Sequence, residues 1–175
     1  MIRPLTKKDR EGLIRLLRST KNFTEDEIFV ADELIDVVLN KPDQRDYYAR
    51  VETAPEADDL TVSGFIVIGP KAATAGTWYL YWLAVDPLYQ GMGAAQRLHR
   101  WAESFVRARD GYWFITETSS QSSYERARRF YLKQGFCLLA QIHDYYKPSD
   151  DLLIYGKRFH DRAPDAGTAQ VSTTK

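Results

Sequence analysis

The sequence predicts one mixed α/β domain, in which helices flank a mostly antiparallel central sheet. Its length of 175 residues is that of a single ordinary domain. Apolar residues make up 44% of the chain, with 8 Phe, 4 Trp and 11 Tyr, which is enough apolar surface for a folded core. Segments with helical apolar spacing alternate with runs of β-branched and aromatic residues, and this alternation predicts the mixed fold.

Two helices are expected near the start of the chain, after a short apolar segment at residues 2–5. Thr6 is placed to cap the first helix, whose leucines recur at helical spacing. The second helix begins at a capping box, in which Thr24 covers free backbone amides and Glu27 reaches back. It ends near Asn40, because Pro42 disfavours helix in the residue before it.

The middle of the chain is predicted to form strands. Runs at 47–51, 61–68 and 77–85 are rich in β-branched and aromatic residues, and loops rich in small and polar residues separate them. Three such runs in succession predict an antiparallel meander.

The second half of the chain alternates helix and strand. A helix from Ala94 to about Arg109 is followed by a strand at 112–118 and a helix that Gly135 ends. That helix is predicted at 123–134, and the last two strands at 136–142 and 152–155. The domain therefore occupies residues 1–160. Residues 161–175 hold Val171 as their only large apolar side chain, so we expect a disordered tail.

Charge and cysteine content limit the partners and the compartment. The 24 Lys and Arg balance 24 Asp and Glu, so we expect neither a nucleic-acid nor a membrane partner. Apolar stretches are far shorter than the ~20 residues that span a bilayer. A single cysteine and a charged start, where a signal peptide is apolar, predict a cytoplasmic location.

A loop with two glycines, Gly91 and Gly93, joins the third strand of the meander to the next helix. Such a loop turns backbone amides outward at a helix N-terminus, where they attract phosphate oxygens. The Walker pattern needs a Gly-Lys-Ser/Thr that is absent, and the dinucleotide fingerprint needs Gly or Ala where Gln96 stands. Two glycines alone would favour a plain tight turn.

Two longer motifs change that interpretation. The pattern Gln90-x-x-Gly93-x-Ala95, placed after a strand, resembles the acetyl-coenzyme-A (acetyl-CoA) loop of the GNAT superfamily of N-acetyltransferases. Residues 127–136, with an alanine before a Phe-Tyr pair and a final Gly-Phe, resemble the second signature of that family. The resemblance covers roughly residues 1–160, and the two signatures occur in the family's order.

The resemblance implies acetyl-CoA as co-substrate, held by the backbone of the strand before the loop and by the loop itself. The residues implied are Leu83, Ala84, Val85, Gln90, Gly91, Met92, Gly93, Ala94, Ala95 and Gln96. In the family the strand before the loop separates from the strand that follows the next helix, which makes the Val85 amide the candidate oxyanion donor. Tyr124 stands where family members often carry an asparagine that contacts the cofactor.

Acetyl transfer from a thioester to an amine needs a neutral amine, a stabilised oxyanion and a proton for the leaving thiolate. The resemblance places Tyr131 near the thioester sulfur as the acid. Glu117 is the leading base, because it lies at the end of a strand, where open α/β sheets bind ligands. A solvated or helix-capping carboxylate is an equally good interpretation of Glu117.

The remaining chemically reactive side chains are assigned structural roles. His99, His143 and His160 lack ligand-like spacing, so we expect no metal site. His99 is assigned to the polar face of its helix and is expected in solvent. Cys137 begins a strand and is expected to be buried rather than nucleophilic.

These observations favour an acetyl-CoA-dependent N-acetyltransferase that acts on a small amine or an amino-acid-like molecule. Acetylation of a protein N-terminus or lysine is the alternative within enzymes. A non-catalytic acyl-CoA sensor is the alternative from another class, and Tyr131 and Glu117 argue against it. The sequence leaves a homodimer open.

Overall fold

The computed structural model describes residues 1–54 and 61–159, so the tail predicted at 161–175 lies outside the described residues. The four α-helices are α1 (Arg10–Thr20), α2 (Glu25–Asn40), α3 (Ala94–Arg107) and α4 (Glu125–Lys133). The strands are β1 (Ile2–Pro4), β2 (Tyr48–Thr53), β3 (Val62–Pro70), β4 (Thr77–Val85), β5 (Trp113–Ser119), β6 (Cys137–Lys147) and β7 (Asp150–Arg158).

The seven strands form one sheet in the order β1-β2-β3-β4-β5-β7-β6. Every neighbouring pair is antiparallel except β4 and β5, which are parallel. The parallel pair is connected through α3, as a crossover requires. The predicted fold class and the predicted meander of β2, β3 and β4 are both confirmed.

The helices cover both faces of the sheet, and β3 contributes alternate side chains to each face. Phe65 and Val67 pack with residues of α1 and α2, whereas Ile66 and Ile68 pack with residues of α3 and α4. Both clusters consist of side chains with almost no exposed surface. A strand buried on both faces explains why its sequence is an unbroken apolar run.

Local signals place most helix ends. Thr24 Oγ1 accepts a hydrogen bond from the Glu27 amide at 3.2 Å, and Glu27 accepts one from the Thr24 amide at 2.8 Å. This is the predicted capping box. The predicted helix at 123–134 differs at its start, because Ser122–Tyr124 forms a 3₁₀ turn before α4 begins.

Two burial predictions are wrong. Cys137 is exposed, because β6 is the edge strand and all of its residues are exposed. His99 is 1% exposed, because the face of α3 that carries it packs against aromatic rings. These are Phe114, Phe130 and Phe136, whose centroids lie 5.5–5.8 Å from the imidazole. Within residues 1–54 and 61–159, no helix is long and apolar enough to cross a membrane.

Candidate active site

The candidate site begins where β4 and β5 separate. Their parallel pairing joins Thr77–Leu80 to 113–116 and ends at the pair Leu80 and Thr116. At the same level the register between β3 and β4 shifts, so that Tyr81 is an extra residue on β4. Such a bulge bends its strand. Beyond it, β4 stays paired with β3 and β5 stays paired with β7, and a wedge-shaped opening lies between them.

The backbone of β4 faces this opening at alternate residues. The Asp86 amide donates to the Ser63 carbonyl of β3 at 2.9 Å, which sets the alternation of the antiparallel ladder. Ala84 therefore points its backbone groups at β3, while Leu83 and Val85 point theirs into the opening. The Val85 carbonyl accepts a hydrogen bond from Gln90 Nε2 at 3.2 Å on that side.

The glycine loop leads from the end of β4 into α3. Gly91 and Gly93 have φ values of 84° and 81°, a region that favours glycine, and Gly93 is the N-cap of α3. A Cβ on Gly91 would meet nothing within 4 Å. The first turn of α3 carries no acidic residue, so its free amides and helix dipole offer an anion site.

Helix α4 supplies arginines to the same region. Arg126 donates to Gln90 Oε1 and so links α4 to the loop that follows β4. Arg128 donates to the carbonyls of Ser119 and Gln121 at 2.8 and 2.7 Å. Arg128 thereby holds the segment between β5 and α4. Neither contact has a signal in the local sequence, because each joins residues from separate elements.

Tyr131 lies at the closed end of the opening. It is buried, and its phenol lies near the side chain of Thr116, the last β5 residue paired with β4. Burial raises the pKa of the Tyr131 phenol, and the nearby Thr116 side chain offsets part of that effect. The phenol is therefore protonated at neutral pH.

Glu117 lies on the other face of the sheet. Successive side chains of a strand point to opposite faces, so Glu117 points to the side of α1 and α2 while Thr116 points to Tyr131. The Glu117 carboxylate is exposed and lies near the Tyr79 phenol. Burial, followed by the charge of Glu117, raises the pKa of Tyr79.

More carboxylates and phenols surround Glu117. Burial is the main cause that raises the pKa of Tyr124 and of Tyr146 to about 12, and the charges of Glu27 and Asp150 act in the same direction on both. The Tyr124 hydroxyl donates to the Asn22 carbonyl at 2.6 Å, and so contacts the loop between α1 and α2. Neither Tyr146 nor Asp150 has a signal in the local sequence, because only the sheet order brings the β6–β7 hairpin to this side of β5.

Asp150 is a buried member of this group. The residue is 6% exposed, and its carboxylate accepts a hydrogen bond from the Ser119 hydroxyl at the end of β5. Among residues 1–54 and 61–159, no three His, Cys, Asp or Glu side chains are grouped as metal ligands would be.

Comparison with known proteins assigns the fold to a family. Residues 12–136 match the model of the Acetyltransferase (GNAT) family. The chain is 34% identical to a Desulfovibrio desulfuricans protein whose crystal structure is described as a GNAT-family acetyltransferase. That match covers 90% of this chain and 98% of the other, with a TM-score of 0.83. A search of curated proteins finds no match.

More distant structures share the fold. An aminoglycoside 6′-N-acetyltransferase complexed with coenzyme A is 17% identical, with a TM-score of 0.69 over 93% of this chain and 98% of that one. A chain of the NatC complex bound to a Gag peptide and CoA is 19% identical, with a TM-score of 0.68 over 91% and 98%. One acts on a small molecule and the other is bound to a peptide, so the shared fold leaves the acceptor undetermined.

Proposed function

The chain belongs to the GNAT family of acetyltransferases, and we propose that it transfers the acetyl group of acetyl-CoA to the amine of a small or amino-acid-like molecule. The observation that carries this proposal is the opening between β4 and β5. One edge of the opening leads to the glycine loop. Tyr131 lies at its closed end on one face of the sheet, and Glu117 lies on the opposite face.

The residues present fit acetyl-CoA. A pyrophosphate needs close approach to backbone amides. The loop is exposed, its two glycines have backbone angles in the left-handed region, and the first turn of α3 carries no acidic residue, so the loop suits such a group. The implied binding residues are those of the loop from Gln90 to Gln96, together with the backbone of Leu83 and Val85, because the backbone of Ala84, which the resemblance also implies, is paired with β3 instead. The Leu83 backbone groups that face the opening suit an amide of an extended pantetheine arm, and the Val85 amide is assigned to the acetyl carbonyl.

The thioester supplies an acetyl carbonyl that an amine can attack. In this proposal Glu117 accepts the proton that the substrate ammonium loses, directly or through water, since an alkyl ammonium has a pKa near 10.4. The Val85 amide donates to the carbonyl oxygen as negative charge develops there. A C–N bond forms, the C–S bond breaks, and the Tyr131 phenol donates its proton to the leaving thiolate. The second proton that the amine nitrogen loses restores the Tyr131 phenol, directly or through water.

The face that carries Glu117 suits a cationic acceptor. The charges of Glu27 and Asp150 act on the phenols of both Tyr124 and Tyr146, and the charge of Glu117 acts on Tyr146, so the three carboxylates share one region of the molecule. A group of negative charges attracts an ammonium ion, and phenol faces add cation–π attraction. The side chains of this region come from α2, β5 and the β6–β7 hairpin, so it is bordered by three elements. A bordered region favours a small acceptor over a long peptide.

The experiment measures the rate at which the CoA thiol is released from acetyl-CoA in the presence of amines, amino acids and peptides. We expect turnover with a small primary amine and none with N-acetylated versions of the same compounds. Turnover with peptides alone would replace the small-molecule acceptor by a protein one. Binding of acetyl-CoA without transfer to any amine would favour the non-catalytic sensor.

A further inference from the structure

A buried carboxylate on β2 reaches the first turn of α3. The Glu52 side chain is only 4% exposed, and its Oε1 accepts hydrogen bonds from both Nε, at 2.9 Å, and Nη2 of Arg97. The two residues are 45 positions apart in sequence. A buried carboxylate is costly unless it is paired, so the pair holds the Arg97 guanidinium in one place.

The same guanidinium also binds the glycine loop. Arg97 Nη1 donates to the Met92 carbonyl at 2.9 Å, five residues earlier in the chain. Arg97 therefore uses all three nitrogens, two toward Glu52 and one toward Met92. The guanidinium is planar and rigid, so fixing one edge against Glu52 fixes the direction of the remaining N–H.

This contact sets the direction of an amide in the loop. The Met92 carbonyl and the Gly93 N–H belong to one planar trans peptide unit, in which they point in opposite directions. Because the carbonyl points at Arg97, the Gly93 N–H points away from it. Gly93 lies in the stretch of loop amides assigned to the pyrophosphate.

The position of Arg97 also explains the residue type at position 93. A Cβ on Gly93 would lie 2.9 Å from Arg97 Nη1, closer than real Cβ contacts. Gly93 also has a φ of 81°, so a side chain there would carry backbone strain and would displace the Arg97 guanidinium.

We propose that Glu52 and Arg97 form a positioning pair, which holds the glycine loop in the conformation that binds the pyrophosphate of acetyl-CoA. The inference rests on the proposed placement of acetyl-CoA on that loop. Glu52 acts through Arg97, and Arg97 acts through the Met92 peptide. Neither side chain needs to touch the phosphates.

The test compares acetyl-CoA binding by calorimetry in four variants. Arg97→Met removes the pair, and Arg97→Lys keeps the charge but cannot reach Glu52 and Met92 with a planar fork. Glu52→Gln removes the negative charge with little change of shape. Arg100→Met is the matched control, because Arg100 is an exposed arginine one turn further along α3.

We expect both Arg97 variants and Glu52→Gln to weaken acetyl-CoA binding about tenfold or more, the effect of one charge-assisted hydrogen bond. Arg100→Met should stay within about twofold. The kcat at saturating acetyl-CoA should change little while the KM for acetyl-CoA rises, which a general loss of stability would not produce. In the Arg97→Met background, Glu52→Gln should have no further effect.

The following results would overturn the positioning role of Glu52 and Arg97. If Arg97 simply attracted phosphate, Glu52→Gln would tighten binding, because a negative charge near an anion is removed, and Arg97→Lys would bind normally. Equal losses in the Arg97 and Arg100 variants would leave only general attraction. If Glu52→Gln does not fold, Arg97→Lys against Arg100→Met decides the question alone.

Gly93→Val separates this inference from the proposed cofactor site. If Gly93→Val abolishes binding while the Arg97 and Glu52 variants bind normally, the loop assignment stands and the pair is wrong. If Gly93→Val also binds normally, acetyl-CoA lies elsewhere.

Discussion

The Thr116 hydroxyl donates a hydrogen bond to the Leu80 carbonyl at 3.3 Å, at the last position where β5 is paired with β4. This contact joins the two strands at the closed end of the wedge-shaped opening. The Tyr131 phenol lies near the same Thr116 on one face, and Glu117 follows on the other face. The two candidate catalytic groups therefore stand on opposite faces of the sheet at one level, with the opening between them.

Replacing Tyr131 by phenylalanine should lower turnover by roughly 10²–10⁴-fold, the usual effect of one general acid. The missing hydroxyl matters only as the C–S bond breaks, so affinity for acetyl-CoA should change little. Single-turnover transfer and calorimetric binding on the same Tyr131→Phe protein measure the two effects.

Thermal unfolding of the Tyr131→Phe protein provides the control. The Tyr131 ring packs near Phe136 and Tyr155, with centroids 5.7 and 6.2 Å away, and phenylalanine preserves that packing. Unchanged transfer together with a lowered melting temperature would make Tyr131 a structural residue.

Replacing Glu117 by glutamine should lower turnover by roughly 10²-fold at neutral pH, where most of an alkylamine substrate is protonated. The loss should shrink as pH approaches the amine pKa, because free amine then forms without a base. The pH profile of kcat/KM measures this. Glu33→Gln, an exposed carboxylate change on α2, is the control. Parallel profiles for the Glu117→Gln and wild-type proteins would place the base elsewhere.

Replacing Gly93 by alanine should weaken acetyl-CoA binding more than replacing Gly91 by alanine. Both positions have positive φ, so each alanine carries backbone strain of about 1–2 kcal/mol. Only at Gly93 does the new methyl group also meet Arg97 Nη1, at 2.9 Å, while Gly91 faces open space. Titration with acetyl-CoA measures both affinities, and equal losses would contradict the crowding at Gly93.

His99 should make the protein less stable in acid. Burial lowers the pKa of His99 from 6.5 to about 4, and the Lys157 charge adds to this while Glu103 opposes it. The unfolded chain therefore binds this proton at a higher pH than the folded protein does. The contribution of neutral His99 to the free energy of unfolding is therefore complete above pH 6.5. It decreases by up to about 3 kcal/mol as pH falls toward 4.

Denaturant unfolding between pH 4 and 7 tests this prediction, with His99→Leu as the comparison. His99 Nε2 is buried and has no hydrogen-bond partner among the described residues, so leucine removes an unsatisfied polar atom. The leucine variant should show a weaker pH dependence over this range. Identical slopes for both proteins would assign the acid sensitivity to other groups.

The sequence by itself determined the features that depend on neighbouring residues. The Thr24–Glu27 capping box joins residues three positions apart, and β4 occupies the predicted range Thr77–Val85. The glycine loop and its place between a strand and α3 were also predicted. Capping bonds, turn geometry and apolar periodicity all act over a few residues, so they can be predicted from one short segment of sequence. The roles of the predicted site residues, the tail and the cytoplasmic location stay predictions.

The tertiary structure decided what depends on distant elements. His99 shares its helical spacing with Ala102 and Val106, yet only the aromatic rings packed around it show that it is buried. The ion pair of Glu52 and Arg97, and the arrival of Tyr146 and Asp150 beside β5, both follow from the order of strands in the sheet. Burial and charge pairing depend on which elements pack side by side, and a single sequence does not state that order.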